Sequence, residues 1–296
     1  MGSENSAGPA RPFPADRRIL ITGASSGIGA ATARAAAAAG YRVALLARRR
    51  DALERLAAEL PAPAAPGLAG PAATDNRNGP GPSGHLILEA DVGDEQTLAQ
   101  AFDMLEESFG GLDLLVNNAG IGYRARIEEL DAPHARRVLD TNVIGPLLVA
   151  RAGLPLLRRG QLPVLVNVSS VLGRRGVPGQ AVYGASKAAL SSIGEALRLE
   201  WASDGIAVCN LEPALTATGF FEAQANPAGL PHPDFAASDS ADAVARIILQ
   251  LDACPRPETS LRRKWRLLAA LGLFAPRLAD RLLAKNLGGA WRAPAR

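Results

Sequence analysis

Residues 18–29 read RILITGASSGIG, and the interpretation of these positions decides the fold. An apolar run, RILIT, passes into a glycine-rich turn, and the turn passes into the alanine-rich stretch 30–39. The run shows no two-residue alternation of polar and apolar positions, which marks a strand buried on both faces, as in a parallel sheet covered by helices. Gly23, Gly27 and Gly29 fall where strand turns to helix. Glycine accepts the positive φ that such turns require and lets backbone N–H groups approach a ligand closely. The helix that follows points its positive end at the same place, which suits a pyrophosphate. Between a buried strand and a helix, the loop is a dinucleotide signal, although its spacing is TGxxxGxG rather than GxGxxG.

Working outward, similar runs recur as RVALLA (42–47), LILEA (86–90), LDLLVNN (112–118), PVLVNVSS (163–170) and IAVCNL (206–211). Helical patterns lie between and after them, at 27–39, 51–60, 94–109, 133–159, 184–203 and 239–251. The alternation predicts an α/β domain over 17–255, with a doubly wound, mostly parallel, Rossmann-like sheet, helices on both faces and right-handed crossovers. A further strand has only a short, polar candidate, PETSL (257–261). Residues 1–16 read as a flexible tail. The Pro-, Gly- and Ala-rich stretch 61–84 has neither period and reads as a mobile, low-complexity surface loop with no packed role.

The chain has 296 residues, 48% hydrophobic and 21% charged, enough for a large core that needs no metal or disulfide. Cys209 and Cys254 share no ligand-like spacing, and Cys209, inside IAVCNL, reads as a small core residue. His85, His134 and His232 are scattered, so no metal site is expected. The first eighteen residues lack the apolar core of a secretory signal, and LLAALGLFA (267–275) falls far short of the ~20 residues of a membrane span. The expected location is the cytoplasm. Net charge is +3, unevenly spread: residues 256–296 hold ten Lys and Arg against Glu258 and Asp280, a net +8 that leaves −5 for 1–255.

In AVYGASKAAL (181–190), Tyr183 precedes Lys187 by four positions, one helical turn. Arginine is the default cation of this chain, whose only lysines are Lys187, Lys264 and Lys285, so Lys187 reads as needed in its own right. A lysine is a compact, movable charge and an arginine a rigid fork. An ammonium on the same helix face favours the phenolate and lowers the phenol's pKa from its usual ~10.

TGASSGIG (22–29), NNAG (117–120) and Tyr183-x-x-x-Lys187, in that order over about 18–220, resemble the short-chain dehydrogenase/reductase family in its single-domain form. The resemblance implies that Ser25, Ser26 and Ile28, with Gly23, Gly27 and Gly29, hold a dinucleotide's diphosphate. It places Asn118, Ala119 and Gly120 under the adenosine and nicotinamide ribose, and Asp91 of EADV at the adenine amine. Tyr183 then exchanges a proton with a carbonyl or alcohol oxygen, and Lys187 also bonds the nicotinamide ribose hydroxyls. Ser170, thirteen residues before Tyr183, resembles the serine that holds the substrate oxygen; Ser169 is its neighbour, and period two lets only one of them face the pocket. Asn142 in DTNVIG resembles the helix asparagine that kinks its helix and anchors a water relaying protons to the lysine. After IAVCNL the family often has Pro-Gly and then a threonine at the carboxamide. Here the chain reads Pro213-Ala214, with Thr218 at the expected place.

NAD-binding sheets usually carry an acid about 20 residues past the glycines. The second strand here ends in Arg48-Arg49-Arg50 instead. A guanidinium binds a 2′-phosphate that a carboxylate would repel, so NADP(H) is expected over NAD(H), with Arg48 as main contact and Arg49 in support. The resulting expectation is an NADP(H)-dependent oxidoreductase of a carbonyl or secondary alcohol. The competing readings are a catalytically silent dinucleotide-binding sensor or scaffold and a sugar-nucleotide epimerase or dehydratase; the second needs more chain after the tyrosine than the 113 residues present. Pocket walls are expected from 171–182 and from 213–236, where Phe220, Phe221 and Phe235 point to a moderately apolar substrate. Arg174 and Arg175 could attract an acidic group or simply be solvated. The extension 256–296 has apolar residues at helical spacing and a basic face. It reads either as a helix closing the pocket or covering a subunit interface, or as a helix pair on an anionic membrane. No nucleic-acid motif is present. A homodimer or homotetramer through helices beginning near 133 and 184 is expected, as in many of the relatives.

Overall fold

The computed structural model describes residues 16–63, 78–227, 229–230 and 238–287. Most of the expected N-terminal tail, residues 64–77 of the expected loop, His232 and Phe235 lie outside them. The chain begins β1 (Arg18–Thr22), α1 (Gly27–Ala38), β2 (Arg42–Ala47), α2 (Arg50–Glu59), β3 (Asn78–Pro80) and β4 (Leu86–Glu89). It continues with α3 (Glu95–Phe109), β5 (Leu114–Asn117), α4 (Ala132–Leu139), α5 (Gly145–Arg158), β6 (Val164–Val168) and α6 (Ala181–Glu200). Then come β7 (Ala207–Glu212), β8 (Thr216–Ala217), α7 (Phe220–Ala223), β9 (Asp239–Ser240), α8 (Ala241–Ala253), β10 (Glu258–Ser260), α9 (Arg263–Phe274) and α10 (Pro276–Leu287). Eight strands form one sheet in the order β10-β7-β6-β5-β1-β2-β4-β3, parallel except for β3. Strand order reverses between β1 and β5, and a crevice opens there at the carboxyl ends of the strands, where open α/β sheets bind ligands.

The strand residues divide alternately between two cores. Ile19, Ile21, Leu45 and Val166 pack under α1 and α8; Leu20, Leu46, Leu115 and Leu165 pack under α3 and α5. The small side chains of α1, with Ala33 and Ala36 fully buried, let it lie close against α8. Helix α3 starts on Asp94, whose carboxylate accepts from the N–H groups of Gln96 and Thr97, and stops at Gly110 in the left-handed region. The faint strand expected at 257–261 is β10, which joins β7 in parallel register.

One expectation needs correction. The stretch 61–84 is not loop throughout. Residues 78–80 pair antiparallel with β4, Asn78 Oδ1 accepts from Glu89 N at 2.8 Å, and Ser83 Oγ donates to Ala57 O at 2.6 Å. A three-residue edge strand containing Gly79 and Pro80 is too short to show a period. The helical pattern 133–159 is interrupted where the resemblance implied a kink at Asn142: residues 140–144 form a π-turn between α4 and α5. That turn accommodates Asn142, which is fully buried.

A row of asparagines crosses the sheet beneath the site. Asn117, Asn167 and Asn210 are in register on adjacent strands. Asn117 Nδ2 donates to Asn167 Oδ1 at 3.0 Å, Asn167 Nδ2 to Asn210 Oδ1 at 3.3 Å, and Asn210 Nδ2 to the Ser191 carbonyl of α6 at 2.8 Å. Gly194 lets α6 lie directly on this row, since a Cβ there would stand 2.0 Å from Asn210 Oδ1. Gly194→Ala should therefore lift α6 and lower stability by about 1–3 kcal/mol, read from urea denaturation. An unchanged denaturation midpoint would show that α6 is seated otherwise.

Candidate active site

The crevice holds a cavity of about 1190 Å³ running from Arg48, Arg49 and Asp91 past the glycine loop to Ser170, Tyr183 and Lys187, and on to Gln180, Gln224 and Trp265. Thr22 is buried just before the loop. Its hydroxyl donates to Val116 O and accepts from the N–H groups of Asn118 and Ala119, both at 3.0 Å. Asn118 Nδ2 returns a bond to Thr22 O at 2.9 Å, so the tops of β1 and β5 are locked together. Above them Gly23 and Gly27 adopt φ of 66° and 54°. A Cβ on Gly29 would lie 2.4 Å from Gly23 O, so the loop accepts no side chain there. Thr218 closes over the loop, 3.4 Å from where a Gly27 Cβ would stand. Ser25, Ser26, Ile28, Ala119 and Gly120 also line the cavity, leaving backbone exposed to an elongated guest. These residues fit a dinucleotide.

At the end of β2, Arg48 and Arg49 both face the cavity. Arg48 lies 3.6 Å from the Asp91 carboxylate, and Arg49 Nη2 donates to Ser25 Oγ at 3.1 Å. Arg50 instead enters α2 and pairs with Glu54.

The other half of the site converges on α6. Ser170 lines the cavity with Tyr183, and its hydroxyl accepts from Leu172 N at 3.2 Å. Ser169 points the opposite way, donating to Lys187 O at 2.8 Å and meeting Ser191 Oγ at 2.7 Å. Period two thus separates the two serines. Lys187 is buried, and its ammonium donates to Val168 O at 2.8 Å. Asn142 grips the backbone of Ile121: its Oδ1 accepts from Ile121 N at 2.8 Å and its Nδ2 donates to Ile121 O at 3.0 Å. The same amide donates to Ser186 Oγ on α6 at 3.0 Å. Gly120 admits both Asn142 and Lys187, since a Cβ there would stand 3.2 Å from Asn142 Oδ1 and 3.4 Å from Lys187 Nζ.

The electrostatics differ from the sequence expectation. Burial pushes the Tyr183 phenol up to about 12, against the opposing effect of the nearby Ser170 hydroxyl. Burial also pulls Lys187 down to about 8. Desolvation, not the neighbouring ammonium, dominates the phenol. Arg174 and Arg175 are not available to substrate either: Arg174 is taken by Glu212, Glu258 and Glu195, and Arg175 by Asp280.

Several contributors were invisible in the sequence reading. Thr22 stands in the quoted motif, and its role appears only through contacts with β5. Gln180 and Gln224, both buried, and Arg124 line the far end. Phe220 of α7 packs its ring 5.6 Å from that of Tyr183. Ala225 bridges to Tyr123, which pins this segment beside the site.

The sequence pattern of the short chain dehydrogenase family matches residues 17–228. The chain is 39% identical over 198 residues to an uncharacterized oxidoreductase of Mycobacterium tuberculosis, covering 67% of this chain and 72% of that one. Among solved structures it is similar to an alcohol dehydrogenase of Thermococcus sibiricus complexed with 5-hydroxy-NADP, at 26% identity and TM-score 0.68, over 84% of this chain and 97% of that one. It is similar also to a 3-ketoacyl-(acyl-carrier-protein) reductase of Brucella melitensis complexed with NADH, at 26% identity and TM-score 0.69, over 83% and 97% of the respective chains.

Lys187 generates a signed prediction. Its folded pKa of about 8 lies below the unfolded value near ~10.5, so charging it costs stability; that cost is full below pH 8 and disappears as pH rises toward the unfolded value. Between about pH 8 and 10 the wild-type unfolding free energy should rise relative to Lys187→Met, by up to roughly 1.4 kcal/mol per pH unit. Urea titrations of both proteins read the slope, and parallel profiles would mean that Lys187 is not desolvated.

Proposed function

The chain belongs to the short-chain dehydrogenase family, and from that premise we propose that it is an NADP(H)-dependent oxidoreductase of carbonyl and secondary alcohol groups. The observation carrying this reading is the convergence of Ser170, Tyr183 and Lys187 on one end of a cavity whose other end is the glycine loop with Arg48. NADP(H), when bound, supplies or accepts the hydride. Ser170 holds the substrate oxygen and offers a hydrogen bond as charge develops there. Tyr183, protonated at neutral pH, holds the proton that the oxygen receives in reduction, and takes it back in oxidation. Lys187 places a positive charge near that phenol and reaches the ribose side of the crevice. Asn142 holds the Gly120–Ile121 backbone in place and is the anchor for a proton-relaying water.

The phosphate preference rests on Arg48 and Arg49 at the cavity wall and on the lack of an acid at the end of β2. Asp91 lies beside Arg48, so a 2′-phosphate has to draw the guanidinium from that carboxylate. The substrate end is walled by Phe220, Phe221, Leu230 and Trp265, which suits a moderately apolar substrate. Leu139 of α4, Ile144 of the π-turn and Leu147 of α5, all exposed, are the face on which a homodimer or homotetramer forms. The silent-scaffold reading is disfavoured because the proton donor and its partners are all in place.

In a nicotinamide-fluorescence titration, the wild type should bind NADPH in preference to NADH, and Arg48→Asp should abolish or reverse that preference. Tight NADH binding indifferent to the substitution would overturn the phosphate assignment. Tyr183→Phe should keep NADPH binding and lose about 10²–10⁴-fold in turnover of a carbonyl substrate. Retained turnover would leave Tyr183 out of the chemistry.

A further inference from the structure

Of the C-terminal hairpin only Trp265 enters the proposed function, and the family match ends before it. One side of it is held to the body. Ala279 and Leu283 are buried, Asp280 pairs with Arg175, and Gly272 leaves room for the Arg175 guanidinium. The other side is exposed and apolar. On α9, Leu267, Ala270 and Phe274 recur at i, i+3 and i+7 and all are exposed; Leu273 is 82% and Phe274 89% exposed. On α10, Leu278 and Leu282, at i and i+4, are exposed as well. Around these stand the exposed cations Lys264, Arg266, Arg277, Arg281 and Lys285. None of the five forms an ion pair with an acid among the described residues.

A helix end carrying Leu and Phe side chains almost wholly in water gains nothing from them in the isolated chain. The charge selects the occupant. Residues 256–296 carry a net +8, so setting this face against the same face of a second copy would bring cation against cation. An interfacial helix on lipid needs what is present, an apolar stripe for the acyl boundary and flanking Lys and Arg for headgroup phosphates. We propose that the outer face of α9 and α10 is a docking surface for an anionic lipid bilayer, entered by Leu267, Leu273 and Phe274 and held by Lys264, Arg266, Arg277, Arg281 and Lys285. Lys264 and Trp265 also line the cavity, so the docked face adjoins the substrate end of the site.

The test is flotation of the full-length protein with vesicles of phosphatidylcholine, with and without phosphatidylserine. Binding should require phosphatidylserine and weaken as salt is raised. Leu273→Glu/Phe274→Glu and, separately, Arg277→Glu/Arg281→Glu should each lower partitioning at least ~10-fold while keeping the melting temperature. NADPH titration of the same samples reports on the oxidoreductase reading independently, since neither variant touches the dinucleotide cradle. Absence of flotation, or equal flotation with phosphatidylcholine alone, would overturn the proposal. It would also be overturned by a larger species in light scattering that Leu273→Glu/Phe274→Glu reduces to a monomer, which would assign the face to a second copy.

Discussion

Helix α6 carries both Tyr183 and Lys187, and it meets the carboxyl ends of β6 and β7 through directional polar bonds. Ser169 reaches up to the carbonyl of Lys187, Asn210 reaches to the carbonyl of Ser191, and Gly194 removes the one Cβ that would keep the two surfaces apart. Hydrocarbon packing tolerates small slips, but a buried hydrogen bond left unmade costs its full desolvation penalty, about 1–3 kcal/mol. The asparagine row thus fixes where along the sheet the helix stops. That position in turn brings the Tyr183 hydroxyl to Ser170 and Lys187 beside Gly120. The cavity, the proton donor and the glycine cradle are aligned because this one contact is specific.

Two buried cations show opposite designs. At the amino-terminal end of the sheet, Arg17 is clasped by Asp252, which also accepts from Tyr41 at 2.7 Å. Its charge is compensated where it lies, and removing one partner would strand the other. At the carboxyl end Lys187 has, among the described residues, the Val168 carbonyl for a partner and no carboxylate, and burial lowers its pKa. The first arrangement holds the fold together. The second is costly to the fold and keeps a charge available to whatever enters the crevice.

The strands and the glycine loop were legible because their physics is local: a run buried on both faces, then a turn needing positive φ. Tyr183 and Lys187 were legible because i and i+4 share a helix face and lysine is scarce here. What could not be read was whatever depends on contacts between distant segments. Thr22 is an ordinary strand residue until Asn118 and Ala119 arrive to bond it, and Gln224 is a loop amide until Ala225 bridges to Tyr123. The spacing of Tyr183 and Lys187 also gave the wrong sign for the phenol, since burial depends on the enclosing segments and not on the neighbour one turn away. Arg174 and Arg175 misled in the same way; their acids lie on β7, β10, α6 and α10, remote in the chain.

The edge strands β3 and β10 have a consequence for assembly. An open sheet invites a second chain to add its own strand along the unpaired backbone, and such addition has no natural end. Both edges here are only three residues long, and β3 finishes in Pro80, which has no N–H to offer. Among the described residues, neither edge therefore offers a second chain a run of backbone long enough for strand-by-strand growth.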